Sequence, residues 1–396
     1  MEVGLFIMRN RTEAVIIGGG ALGASIFYYL TKLGMKDVVL IEKGELGSGS
    51  TGDSAAFIRQ HYSNDVSIRL VKKSLEFFQG FSNEFSGNSV FVNTGWFFLV
   101  PHDAADVFDS NMIRLKNEGI KTWTISLSDL TDELPGINTD GIGRVAFEPE
   151  SGYVDPHAMV NAVVNQGVIN GGEFMINNPV IGIDTSGKTS VVKTPAGDIE
   201  TRIVINAAGP WAHQIGLWMD IDLPLEISRE QDIVVRPNKG ATVITRCVSN
   251  MVDRTYIRAE PDGLVLVGTG HPKENETANP DLYKKEADQE FVAETSRLLA
   301  HRFPSLSGSE VVKSWAGLYT ITPDWNMILD RSPVNDNHYF AVGGSGHSFK
   351  IAPAMGQCLA EMIVFGEAKT VDISDLNARR FDTGRIVEST YGGNRN

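Results

Sequence analysis

The spacing of apolar residues changes period several times along this chain. Residues 14–17 (AVII) are wholly apolar and mostly β-branched, which predicts a short strand buried on both faces. A helical period follows over 21–33 and closes at Gly34, and VVLI at 38–41 predicts a second buried strand. Residues 64–81 read as an amphipathic helix capped by Asn64, with Val66, Leu70, Val71, Leu75 and Phe78 along one stripe. Residues 85–150 turn to short β-rich runs around one surface helix. A helix then starts at Pro156, capped by Asp155 and ended by Gly171.

Residues 178–206 alternate as antiparallel strands with turns at Ser186-Gly187 and Ala196-Gly197, and the buried run 203–205 enters a glycine turn at Gly209. Further strands are predicted between 225 and 270, and a helix at 284–302. A strand, a turn holding Gly343, Gly344 and Gly346, and a helix at 349–362 end the pattern. The fold class is therefore α/β: a Rossmann-like nucleotide-binding domain with a discontinuous, antiparallel β-rich substrate domain of α+β character. The expected nucleotide-binding segments are 12–84, 145–224 and 316–396, and the substrate segments are 85–144 and 225–315.

The first strand, helix and second strand frame Gly18, Gly20 and Gly23 in the order G-x-G-x-x-G, with Glu42 nineteen positions beyond Gly23. Each part has a mechanical reason. Gly18 makes the tight turn, Gly20 lets a pyrophosphate approach the backbone, and Gly23 lets the helix lie close to the strand. Ala21 and Leu22 open the helix, whose free N–H groups favour phosphate. Glu42 is placed to accept ribose hydroxyls. The fingerprint establishes a dinucleotide without choosing between FAD and NAD.

Composition narrows the partners. The 396 residues are 42% hydrophobic and 21% charged, an ordinary globular mixture with room for two cores. A formal charge of −14 argues against nucleic acid or an anionic membrane surface as partner. Cys247 and Cys358 are the two cysteines and form no CxxC pair, so no disulfide framework or thiolate metal cage is expected and the cytoplasm is the expected compartment. The opening MEVGLFIMRN has no basic leader or cleavage site and reads as a frayed tail or an added edge strand. The uncharged stretch 14–30 is too short and glycine-broken to span a bilayer.

The motifs together resemble a known family. VIIGGGALGASIFYYL with VVLIEKG, GSGST, IRQHY, GYVDP, INAAGPWA, WAGLYTITPD and AVGGSGHSFKIAPAMGQ is similar to the D-amino-acid oxidase-type flavoproteins, within them to sarcosine oxidase, glycine oxidase and catalytic subunits of amino-acid dehydrogenases. The likeness runs from residue 14 to about residue 360 and is most specific in GGSGHSFK together with TPD. It implies FAD. A flavin also needs a second anchor remote from its phosphates, and the turn at Gly343, Gly344 and Gly346 opening a helix near Phe349 suits negative charge on the reduced ring.

The resemblance places Val180 by the adenine and Lys43, Ser50 and Thr51 along the phosphates and ribityl chain. It places His347 at the flavin edge, and Arg59 and Lys350 on a substrate carboxylate, where an Arg fork and a Lys point charge complement each other. Tyr319 matches a pocket tyrosine. Tyr256 and Arg258, at i and i+2 of one strand, share a face expected to look toward the flavin. Gly317 stands where covalent sarcosine oxidases carry a flavin-linked cysteine, and Thr51, Gly52 and Asp53 stand where related dehydrogenases carry a linked histidine. FAD is therefore expected to be non-covalent. The resemblance puts the oxygen-activating lysine of monomeric sarcosine oxidase at Leu266 or its neighbours in GLVLVG, where no lysine stands, which leaves room for another electron acceptor.

The implied activity is oxidation of an amine bearing a carboxylate, by hydride transfer to flavin N5, to an imine that hydrolyses. The alternatives are a hydroxy-acid or glycerol-phosphate dehydrogenase, and an FAD subunit of a heteromeric complex. A homo-oligomer or a partner dehydrogenase subunit fits the family.

Overall fold

Strand Arg11–Ile17 and strand Val38–Ile41 form where the apolar runs predict them, with Ala14, Val15, Ile16 and Leu40 fully buried. The computed structural model describes residues 10–85, 89–270 and 273–389; the proposed tail at 1–9 lies outside the described residues. The chain divides into two compact units. The first holds residues 10–52, Pro156–Glu226 and Thr320–Ile386, and the second holds Asp53–Asp155, Ile227–Tyr319 and residues 387–389.

In the first unit Arg11–Ile17 lies between Val38–Ile41 and Ile199–Asn206, all parallel, and strand His338–Val342 runs parallel beside the end of Ile199–Asn206. Ile41, Ile17, Asn206 and Phe340 thus fall in one row near the carboxyl edge of this sheet. Loops leaving that edge are where ligands of open α/β sheets bind. Helix Ala21–Lys32 packs against helices Ser348–Phe365 and Pro156–Ile169. Small residues set the approach: a Cβ on Gly356 would stand 2.5 Å from Ser25 Cβ, and one on Gly167 would stand 2.4 Å from the Phe27 ring.

The second unit is built on an eight-stranded sheet in the order Glu310–Ile321, Glu226–Arg236, Val265–Thr269, Thr255–Ala259, Cys247–Asn250, Trp96–Pro101, Ile142–Glu148, Trp123–Thr124. Its core gathers Phe97, Leu99, Val145, Ile233, Val248, Ile257 and Val267 under helix Gln289–Arg302. A small sheet joins Phe57–Ile58, Gly152–Val154 and Phe91–Asn93.

Residues 53–84 and 145–155, read from the sequence as nucleotide-binding, lie with the second unit. The reason is long-range pairing: Phe57–Ile58 pairs with Gly152–Val154, and Ile142–Glu148 belongs to the large sheet. The helix expected from 284 starts at Gln289, because Lys284 and Glu286 instead turn their carbonyls to the Arg229 guanidinium at 2.8 and 2.6 Å. No helix among the described residues is long and apolar enough to cross a membrane.

Candidate active site

The first glycine corner behaves as its spacing requires. Gly18 has φ +112°, and a Cβ there would meet the Ala207 carbonyl oxygen at 2.5 Å. A Cβ on Gly23 would stand 1.8 Å from the Gly18 carbonyl oxygen, so the helix can pass this close only without a side chain. Gly20 is the N-cap and supplies no side-chain cap, which leaves the helix N-terminus at Ala21 and Leu22 to other acceptors. The Thr51 hydroxyl accepts from Ala21 N–H at 3.0 Å. Glu42, expected to accept ribose hydroxyls, accepts from Gly19 N–H at 2.7 Å and from Gly44 N–H at 2.8 Å, so its carboxylate braces the corner. The Ser50 hydroxyl is buried without a hydrogen-bond partner, and the Lys43 ammonium lies 3.1 Å from the Trp211 ring centroid. Glycine cradle, orphaned hydroxyl and helix N-terminus make a donor set suited to a pyrophosphate.

Two further corners leave the same sheet edge. Gly209, at φ +53°, follows strand Ile199–Asn206, with no atom within 4 Å of where its Cβ would be. Gly343, Ser345 and Gly346 follow His338–Val342 with φ of +71°, +47° and +79°. Ser345 is the costly member, because a side chain rarely adopts that conformation. Three bonds hold it there: its N–H donates to Thr320 O at 2.8 Å, its hydroxyl to Gly343 O at 3.1 Å, and Thr322 N–H donates to that hydroxyl at 3.3 Å. Gly344 is needed for closeness, since its Cβ would stand 2.3 Å from the Ser348 hydroxyl. Helix Ser348–Phe365 then opens with His347 as an N-cap that makes no side-chain cap bond, and it buries Phe349 and Lys350. Val180 packs half-buried against the core beneath the sheet.

The second unit carries the remaining expected residues. Arg59 stacks 4.5 Å from the Tyr62 ring, lies 5.8 Å from the Trp96 ring, and donates to the His61 carbonyl. Tyr319 is half-buried, and its hydroxyl is pushed far above the ordinary phenol range by its loss of hydration, then by Glu230 and Asp232; Arg59 opposes the shift. Tyr256 donates to Asp232 Oδ1 at 2.8 Å and is likewise raised, first by burial. Arg258 donates to the Ala55 carbonyl, pairs with Glu260, and stacks 4.5 Å from the Tyr153 ring. Gly317 borders Asp53, and a Cβ there would come within 2.8 Å of Asp53 Cβ. The sequence placed Arg59 in the nucleotide-binding part; it belongs to the second unit, while Lys350 belongs to the first.

Two features escaped the sequence. His61 and Glu148 form a fully buried couple, with Nδ1 3.9 Å from Oε1. Glu148 Oε2 accepts from Gln60 N–H and from the Ser151 hydroxyl, both at 2.8 Å. Burial pushes the Glu148 carboxyl up to about 7 and the His61 imidazole well below its usual range. Ser228, Glu230 and Asp232 share one face of strand Glu226–Arg236, all buried. Charged residues at alternate positions of an otherwise strand-like run were the available signal.

Among the described residues no group of His, Cys, Asp and Glu is arranged to hold a metal ion. The cradle at one sheet edge and the paired glycine corners define a flavoprotein of the doubly wound type, and residues 13–362 match the family described as FAD dependent oxidoreductase. The chain belongs to that family: it is an FAD-dependent oxidoreductase. It is 29% identical to FAD-dependent oxidoreductase domain-containing protein 1 of Xenopus laevis, over 94% of this chain and 83% of that protein. It is 25% identical to sarcosine oxidase subunit beta of Rhodobacter capsulatus, over 96% of this chain and 91% of that protein. Among solved structures it is similar to L-proline dehydrogenase from P. horikoshii, with a TM-score of 0.88 and 28% identity, covering 96% of this chain and 100% of that one.

Proposed function

We propose that this chain oxidises an amine bearing a carboxylate, such as an amino acid or N-methyl amino acid, and that Arg59 binds the carboxylate. The observation that carries the reading is the Arg59 guanidinium, fixed against the Tyr62 and Trp96 rings and by the His61 carbonyl. A planar fork oriented by aromatic faces and one carbonyl is pre-organised for bidentate carboxylate recognition. The names of the relatives, sarcosine oxidase subunit beta and L-proline dehydrogenase, point to the same substrate class.

FAD, when bound, supplies a two-electron acceptor at N5 for the hydride leaving the substrate carbon beside nitrogen. Gly18, Gly20, Gly23, Ser50 and Thr51 hold its phosphates, and the corner from Gly344 to Phe349 its ring system. Arg59 orients the substrate, while Tyr319 and Tyr256 shield its amine from water; holding the C–H bond in place provides much of the rate. FAD is held non-covalently, because Gly317, Thr51, Gly52 and Asp53 offer no thiol or imidazole. By resemblance an oxygen-activating lysine would fall at Leu266 or its neighbours in GLVLVG, which hold no cation, and this supports a different electron acceptor.

The test is anaerobic mixing of the holoprotein with glycine, N-methylglycine, L-proline, lactate and glycerol 3-phosphate. Bleaching of the flavin band by a carboxylated amine supports the proposal. Bleaching by lactate or glycerol 3-phosphate alone rejects it.

A further inference from the structure

An amine can surrender hydride only when its nitrogen lone pair is free, yet amino acids at neutral pH carry ammonium. The second unit contains a buried group suited to that problem. Asp232 and Tyr256 both register with Gly268, on the strand between theirs, so the three residues form one row across three strands. Gly268 is what lets the outer two meet. A Cβ on it would stand 2.2 Å from Asp232 Oδ1 and 2.3 Å from the Tyr256 hydroxyl. Across that gap Tyr256 donates to Asp232 Oδ1 at 2.8 Å.

The two acids of this face differ in their compensation. Glu230 pairs with Lys273 at 2.6 Å and accepts from the Ser228 hydroxyl at 2.8 Å. Among the described residues no cation is in contact with Asp232 and no hydrogen bond reaches its Oδ2, although the residue is only 5% exposed. A carboxylate with this little access to water gains from a cation arriving beside its open oxygen. The Tyr319 hydroxyl feels the charges of both Asp232 and Arg59, which act on it in opposite directions.

Resting on the carboxylated-amine reading above, we propose that Asp232, positioned by Tyr256, is the base that takes the proton from the substrate ammonium. The N–H bond breaks and its electron pair stays on nitrogen. An O–H bond forms at Asp232 Oδ2, and the carboxylate becomes a neutral acid that later returns the proton to solvent. Burial raises the Asp232 carboxyl to about 7, against the hydrogen bond from Tyr256 and the charges of Lys273 and Arg258, with Glu230 adding to the rise. A base with that value is matched to neutral pH.

The experiment follows anaerobic flavin reduction against pH in wild type, Asp232→Asn and Tyr256→Phe, using glycine, N-methylglycine and L-proline. Propionate, a carboxylate without the amine, is titrated against the flavin spectrum in parallel. Wild type is expected to gain rate as pH rises through about 7, where Asp232 ionises. Asp232→Asn is expected to lose that limb and to react about 100-fold more slowly at neutral pH, with propionate binding changed less than about twofold. Tyr256→Phe removes a bond that lowers the Asp232 value, so its limb moves to higher pH. An Asp232→Asn profile superimposed on wild type overturns the inference and leaves the proposed function standing, as does equal loss of propionate binding, which marks a merely structural role. Failure of all three amines to reduce the wild-type flavin overturns the proposed function and this inference with it.

Discussion

Glu148 shows what one buried carboxylate does to a site it never has to touch. Its bond to Gln60 N–H reaches across 88 residues and fixes the backbone next to Arg59. Because burial raises its value in the folded state to about 7, the folded protein holds a proton there that the unfolded chain has lost. Stability from this group is therefore full below the ordinary carboxylate range and lost as pH rises through about 7. Glu148→Gln keeps the hydrogen-bond acceptor without the charge. Its thermal melting temperature is expected to exceed wild type by several degrees at pH 8 and to match it near pH 5. Arg59→Ala tests the neighbouring cation: KM for the amine is expected to rise about 100-fold or more, since a charged bidentate contact is removed, with steady-state kinetics as the measurement. Arg59 could be singled out from the sequence because it sits in a recognisable motif. Glu148 and Asp232 were not, because their partners are a distant backbone N–H and a tyrosine two strands away.

Elements were the most readable scale. Val38–Ile41 coincides with its apolar run, and Asn64 caps helix Asp65–Gln79 by accepting from Ser67 N–H at 2.9 Å. Strand neighbours were not readable, since period reveals a face and never its partner. The same limit hid Gly356, which looks like an ordinary helix glycine and is in fact where helix Ser348–Phe365 touches Ser25. Gly356→Val is expected to wedge the two helices apart at a cost of about 1–3 kcal/mol, seen as a lower melting temperature of the holoprotein. Gly23→Ala is expected to do more than destabilise. With its Cβ 1.8 Å from the Gly18 carbonyl, the corner must move, and FAD binding followed by flavin fluorescence is expected to fall sharply.

At the scale of the molecule, the sequence indicated a nucleotide-binding part and a β-rich part, each drawn from separated segments, but not every seam. Pairings such as Phe57–Ile58 with Gly152–Val154 decide those seams, and they join residues far apart in the chain. Long-range closure also appears near the C-terminal end. Arg380 forks onto Asp324 at 2.8 and 3.0 Å, both side chains 1% exposed. Arg380→Met strands a buried carboxylate and is expected to cost about 3–5 kcal/mol, with partial recovery on adding Asp324→Asn; denaturant melts of the holoprotein read both. The residues Asp324 anchors lead directly to Thr322 and so to the left-handed Ser345. A bend tied down on three sides by its own chain does not depend on a flavin for its shape. Uptake of FAD by the apoprotein then resembles filling a mould, proceeding in a single concentration-dependent phase with no slow ordering step behind it.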